Sequence, residues 1–205
     1  MVTKLSLDLS GRTEALKKIK QEVLALESSP LYEFRIANKN LPVIGEGAHD
    51  AKIMFVGEAP GKNEAATGRP FCGASGKLLD ELLASVKISR ESVYITNIVK
   101  DRPPENRDPS PEEIKIYGPF LDKQIEIIQP EIIATLGRFS MQYIMTRFGL
   151  ADILLPISQM HGQLFETETT YGKVKILPLY HPAAAIYNRA LLDTLKLDFA
   201  KLREL

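Results

Sequence analysis

Four short strand-like runs, Lys52 to Val56, Val93 to Val99, Pro130 to Leu136 and Val174 to Leu179, alternate with segments whose apolar residues recur every three or four positions. A strand buried on both faces reads as a continuous apolar run, and a helix between two such strands returns the chain to the same end of the sheet. The strands therefore lie parallel, with helices on both faces. Leu16, Ile19, Val23 and Leu26 mark a helix over about residues 12–27, stopped by Ser28-Ser29-Pro30. Leu78, Leu79, Leu82, Leu83 and Val86 mark another over about residues 75–87. Ser110, Pro111 and Glu113 are good starting residues for a third, with Ile114, Tyr117, Leu121 and Ile125 inward. Phe139 to Phe148 and residues 190–203 supply two more, and Leu164 to Thr167 adds a strand before the turn at Tyr171-Gly172. The expectation is a three-layer α/β/α sandwich with a central four-stranded parallel sheet. One domain covers residues 1–205, with residues 1–30 as an N-terminal helix packed on it.

The 205 residues, 44% of them hydrophobic, suffice for one well-buried core. The 26 basic and 26 acidic residues cancel, which argues against a protein that coats nucleic acid by bulk charge. An enzyme that grips a few phosphates needs only a small basic rim. No apolar run approaches the ~20 residues of a membrane span, and Met1-Val2-Thr3-Lys4 lacks a signal peptide's apolar core. A cytoplasmic monomer without membrane contact is expected. The lone Cys72 permits neither an internal disulfide nor a cysteine-only metal site.

Two loops carry the chemistry. Gly57-Glu58-Ala59-Pro60-Gly61, with Gly68-Arg69-Pro70-Phe71 behind it, follows the first strand, and His181-Pro182-Ala183-Ala184-Ala185 follows Val174 to Leu179. The carboxyl ends of parallel strands share one edge, so loops distant in sequence meet in one crevice there. Carboxylates, an aromatic ring and an imidazole are expected together. His181, fixed between a buried strand and Pro182, reads as functional, whereas His161 in Met160-His161-Gly162 reads as a loop residue. The turn from Gly57 to Gly61 lacks the Lys-Ser or Lys-Thr pair of a nucleotide-binding loop, which ranks that reading last.

The segments Gly45-Glu46-Gly47, Met54-Phe55-Val56-Gly57-Glu58-Ala59-Pro60-Gly61, Glu64, Thr67-Gly68-Arg69-Pro70-Phe71, Gly76-Lys77-Leu78-Leu79, Tyr94-Ile95-Thr96-Asn97, Arg102-Pro103-Pro104, Asn106-Arg107-Asp108-Pro109 and Tyr180-His181-Pro182-Ala183-Ala184 follow one another in this order. Through them the chain from Leu31 onward resembles the uracil-DNA glycosylase superfamily, and within it the family 4 enzymes of bacteria and archaea. The resemblance implies that superfamily's fold and a monofunctional enzyme of base excision repair. Such an enzyme flips uracil out of single- or double-stranded DNA and hydrolyses its N-glycosidic bond, leaving an abasic site.

It also implies roles. Phe71 would stack on the uracil, and Asn97 can donate to a carbonyl and accept from N3–H, which recognises uracil's edge. His181 would donate to uracil O2 as negative charge develops there. Glu58 and Glu64 would be active-site acids, either one able to position water or stabilise the cationic sugar, with Glu64 alternatively excluding thymine's methyl group. Ala59 would leave space for water and a backbone N–H beside the base. Ala65 replaces an acid that usually follows the glutamate. Ile186 or Tyr187 would fill the space vacated by the flipped nucleotide, and Lys77, Lys100, Arg102, Arg107 and Arg189 would meet phosphates.

Family 4 enzymes hold a four-iron four-sulfur cluster through four cysteines. Alignment on Pro30-Leu31, Arg102-Pro103-Pro104 and Pro119 places Leu26, Ser29, Asp101 and Tyr117 at those positions. None binds iron as a thiolate does, so neither metal nor organic cofactor is expected. Another tie must then join the N-terminal helix to the loop after the second strand: Leu26 packing on Tyr117, with Asp101 accepting from Ser29 or nearby backbone. Covalent uracil-trapping relatives carry an inserted basic loop with a reactive histidine, which Lys100 to Pro109 lacks, so stable capture of DNA is not expected. Two alternatives remain. One is altered base preference, for hypoxanthine or a mismatched pyrimidine, for which Ala59 and Ala65 leave room; the other is a catalytically silent DNA-binding scaffold.

Overall fold

Strand alternation sorts the apolar runs onto two faces of one sheet. The computed structural model describes residues 7–203; Met1-Val2-Thr3-Lys4 and the other terminal positions lie outside the described residues. The chain runs through α1 (Leu9–Leu24), α2 (Tyr32–Ala37), β1 (Glu46–Gly47), β2 (Ile53–Gly57), α3 (Lys62–Thr67), α4 (Ala74–Ser85), β3 (Tyr94–Asn97) and α5 (Pro111–Ile128). It continues through β4 (Ile132–Leu136), α6 (Arg138–Arg147), α7 (Ile157–Met160), β5 (Phe165–Thr169), β6 (Gly172–Leu179), α8 (Pro182–Tyr187) and α9 (Leu191–Ala200).

The sheet order is β1-β3-β2-β4-β6-β5. Its four central strands are parallel, and β1 and β5 add antiparallel edges. Successive strand residues point to opposite faces. Met54, Val56, Ile133 and Ile176 pack with Leu16, Ile19, Leu121, Ile125 and Ile144 of α1, α5 and α6. Phe55, Ile132, Ala134, Leu177 and Leu179 pack instead with Leu79, Leu82, Leu83, Leu195 and Phe199 of α4 and α9. Two cores, one on each face, make the three layers. The ends of β2, β3, β4 and β6 share one edge, which places Glu58, Asn97, Gly137 and His181 near one another. Among the described residues no helix is long and apolar enough to cross a membrane.

The start of α5 follows from its sequence. Ser110 Oγ accepts from Glu113 N–H, the Glu113 carboxylate accepts from Ser110 N–H, and Pro111 fills the first turn.

A buried polar tie joins α1, α2, α5 and the loop after β3. The Tyr117 hydroxyl donates to Asp101 Oδ2 at 2.6 Å, so its partner Ser29 Oγ, at 2.7 Å, must be the donor to it. Arg35 donates to Asp101 Oδ2 at 3.0 Å and to the carbonyls of Val23 and Leu24 at 2.8 and 2.6 Å. The expected bond from Ser29 to Asp101 is thus corrected: Asp101 accepts from Tyr117 and Arg35, because the phenol reaches between them. Leu26 is partly buried against the core that contains Tyr117. Tyr117→Phe removes the hydroxyl that Ser29 and Asp101 both use, and should cost ~1–3 kcal/mol. A urea titration reads this as a lower midpoint with unchanged slope; an unchanged midpoint would show that the tie carries no stability.

Candidate active site

Glu58, Ala59, Glu64, Phe71, Asn97 and His181 line one cavity of about 290 Å³, with Ser75, Pro103, Asn106 and Arg107 on its walls. That volume is at the lower end of the ~300–1,000 Å³ range of small-molecule pockets and suits a single small ring.

His181 follows β6 and caps the first turn of α8. Its Nδ1 accepts the Ala183 backbone N–H at 3.1 Å, and Pro182 occupies the first helical position, where no N–H is needed. With Nδ1 accepting, the proton of the neutral ring sits on Nε2 and is available as a donor. Burial pushes the imidazole pKa down to about 4 against a weaker upward pull from Glu64, so the ring is neutral at neutral pH. Gly137, at φ +100°, lets the end of β4 pass close by: a Cβ there would lie 3.3 Å from His181 Cβ.

Phe71 adopts φ +48°, a left-handed conformation rare for an aromatic residue and costing on the order of 1–3 kcal/mol. Its surroundings hold it there. Glu64 Oε1 accepts from the backbone N–H groups of Cys72 and Gly73 at 3.0 and 2.9 Å, fixing the residues that follow Phe71. The Phe71 ring lies 5.5 Å from the His181 ring, the planes 29° apart. Gly57 is required for this convergence, since a Cβ there would meet Asn97 Oδ1 at 2.3 Å and Phe71 Cζ at 2.8 Å.

Asn97 ends β3 and is 2% exposed. Its loop is stitched to the end of β2, with Ile98 N–H on Gly57 O and Val99 N–H on Glu58 O. Among the described residues neither the Asn97 amide nor the Glu58 carboxylate has a hydrogen-bond partner, so both remain available to a ligand. Burial, reinforced by Asp108 and opposed by Arg138, pushes the Glu58 pKa up to about 7.

The expected DNA contacts divide. Lys77 and Arg189 are exposed, as are Ile186 and especially Tyr187, which is 90% exposed. Arg102 holds Asn106 Oδ1 at 2.7 Å, and Arg107 forms a two-pronged pair with Glu113 at 2.6 and 2.9 Å. Lys100 is a correction: it is 0% exposed, turned inward beneath α5, and cannot meet a phosphate. Ala65 is another. It is 0% exposed and absent from the cavity wall, so any room for a different base is not made by Ala65. His161, half-buried, holds Asp198 Oδ2 at 2.7 Å through Nδ1 and packs on Tyr180. Sequence reasoning missed Arg138, which pairs with Asp108 close to Glu58; its place just after the β4 run is the signal that could have found it.

The family model of the Uracil DNA glycosylase superfamily matches residues 44–203. The chain is 46% identical to the Type-4 uracil-DNA glycosylase of Sulfurisphaera tokodaii over 193 residues, 94% of this chain and 85% of that one. It is 44% identical to the Type-4 uracil-DNA glycosylase of Archaeoglobus fulgidus over 192 residues, 94% of each. The corresponding protein of Thermotoga maritima is 40% identical over 179 residues, 87% of each chain. Matches of this extent, on a chain whose loops converge at one sheet edge, show that it belongs to the uracil DNA glycosylase superfamily and is a DNA glycosylase.

Proposed function

We propose that the protein is a monofunctional uracil-DNA glycosylase, acting as a monomer on uracil extruded from single- or double-stranded DNA. The observation that carries this reading is the convergence on one cavity of a neutral imidazole donor, an aromatic ring, and an amide and a carboxylate that have no partner among the described residues. Cleavage of the glycosidic bond leaves positive charge on the sugar and negative charge on the base, and each needs its own stabiliser. His181 Nε2–H donates to O2 as the base becomes anionic. The Asn97 amide donates to a carbonyl and accepts from N3–H, and Phe71 supplies the stacking face.

The two acids take different roles. Glu64 has given an oxygen to the Cys72 and Gly73 amides, so it holds the Phe71 loop in place. Glu58, without a hydrogen-bond partner among the described residues, is left to orient the attacking water and stabilise the cationic sugar. Tyr187, far more exposed than Ile186, is the better wedge for the vacated stack.

The iron–sulfur cluster of family 4 enzymes does not fit these residues. Leu26 offers no donor atom, Asp101 is shared by Tyr117 and Arg35, and the Ser29 and Tyr117 hydroxyls bond each other. The polar tie does the joining instead.

The test is release of uracil, hypoxanthine and thymine from matched single- and double-stranded oligonucleotides, read as alkali-labile sites. Uracil should be released and thymine should not. Equal release of hypoxanthine would favour the broader base preference; DNA binding without any labile site would favour the silent scaffold.

A further inference from the structure

Lys100 is a buried basic side chain that the reaction described above does not use. No carboxylate pairs with it among the described residues, since neighbouring Asp101 is occupied by Arg35 and Tyr117. Three oxygens hold its Nζ instead: the Asn97 carbonyl at 2.6 Å, Thr96 Oγ1 at 2.9 Å and Gln124 Oε1 at 2.6 Å. All three act as acceptors. The Gln124 amide nitrogen donates to Ile44 O at 2.8 Å and reaches the Tyr94 hydroxyl at 3.1 Å, which turns Oε1 toward the lysine. The Thr96 hydroxyl proton is spent on Ile44 O at 2.6 Å. An ammonium supplies the three N–H groups this cradle requires, whereas a neutral amine supplies two and would turn its lone pair on an oxygen. Burial alone would push the Lys100 pKa well below the ordinary lysine range; against it stands the geometry, because three oxygens that can only accept at 2.6–2.9 Å favour the ammonium over the amine.

We propose that Lys100 is a positioning residue carrying a buried positive charge behind Asn97. It pins the backbone of the residue whose amide receives the uracil edge, and its field favours the negative charge that the departing base acquires. This rests on the glycosylase reading above. A fixed charge in a dry interior is weakly screened and needs no reorganisation as the bond breaks. The reacting base is not touched by Lys100; the effect passes through Asn97 and through space.

The discriminating experiment compares wild type with Lys100→Met on two substrates, uracil and 5-fluorouracil in the same single-stranded sequence. Fluorine makes the base a better leaving anion, so it depends less on outside stabilisation. With uracil, kcat should fall ~10–100-fold with KM little changed, a loss smaller than that for a direct donor. With 5-fluorouracil the loss should shrink several-fold. Equal losses on the two substrates would make Lys100 a packing residue and overturn the proposal while leaving the glycosylase reading intact. No release by wild type would overturn that reading and this one with it. Should Lys100→Met fail to fold, nitrogen-15 lysine NMR on the wild type still decides: a buried ammonium at neutral pH is expected, and a neutral amine would overturn the proposal.

Discussion

His181→Ala should lower the single-turnover rate of uracil release by ~10²–10³-fold, the loss typical of removing one donor from an oxyanion-type site. The donor is built in by the fold. Ala183 N–H occupies Nδ1, which leaves the ring's proton on Nε2, and burial keeps the ring neutral down to about pH 4. Protonating Nδ1 would set two donors against each other and uncap α8. Stability follows the same logic. The folded pKa lies below the ordinary 6.5, so the unfolded chain binds more protons between about 4 and 6.5, and native stability falls as pH drops through that window. The alanine variant should lose that component of acid sensitivity. A labelled oligonucleotide assay reads the rate and thermal melts at several pH values read the linkage; a rate loss under tenfold would remove the imidazole from the chemistry.

Glu58→Gln should lower the rate by ~10²–10⁴-fold, the scale of a positioned acid or base. Because the wild-type carboxyl is protonated below about pH 7, its activity should rise roughly tenfold per pH unit up to that point and then level, whereas the glutamine variant should be slow and flat. The stability sign is opposite to that of His181. The folded pKa is raised above the ordinary 4.5, so the native state binds more protons between 4.5 and about 7, and stability declines as pH rises through that interval. Glu58→Gln should therefore melt higher than wild type at alkaline pH and no higher in acid. A wild-type rate that stays constant across neutral pH would contradict the assignment.

The layers and the sheet edge were legible in sequence for a simple reason: period-two burial wrote both faces of β2, β4 and β6 into consecutive apolar residues. The two-residue β1 was not, since no periodicity fits in Glu46-Gly47, and α3 and α8 are six residues each, too short for a helical stripe. Strand-end position sufficed to nominate Asn97 and His181. It could not separate Glu58 from Glu64, because loop membership says nothing about which carboxylate the Cys72 and Gly73 amides will claim. Lys100 was misplaced for a related reason. Lysine belongs on the surface unless paired, and its partners are one backbone carbonyl and two neutral side chains, one of them 24 residues away on α5, which no local pattern announces.

Iron content and uracil release, measured on one sample purified without oxygen, test the whole reading most directly. The protein should be colourless, without iron–sulfur absorbance or stoichiometric iron, and should still create alkali-labile sites at uracil. A brown protein with stoichiometric iron, or a colourless one that leaves uracil in place, would contradict it.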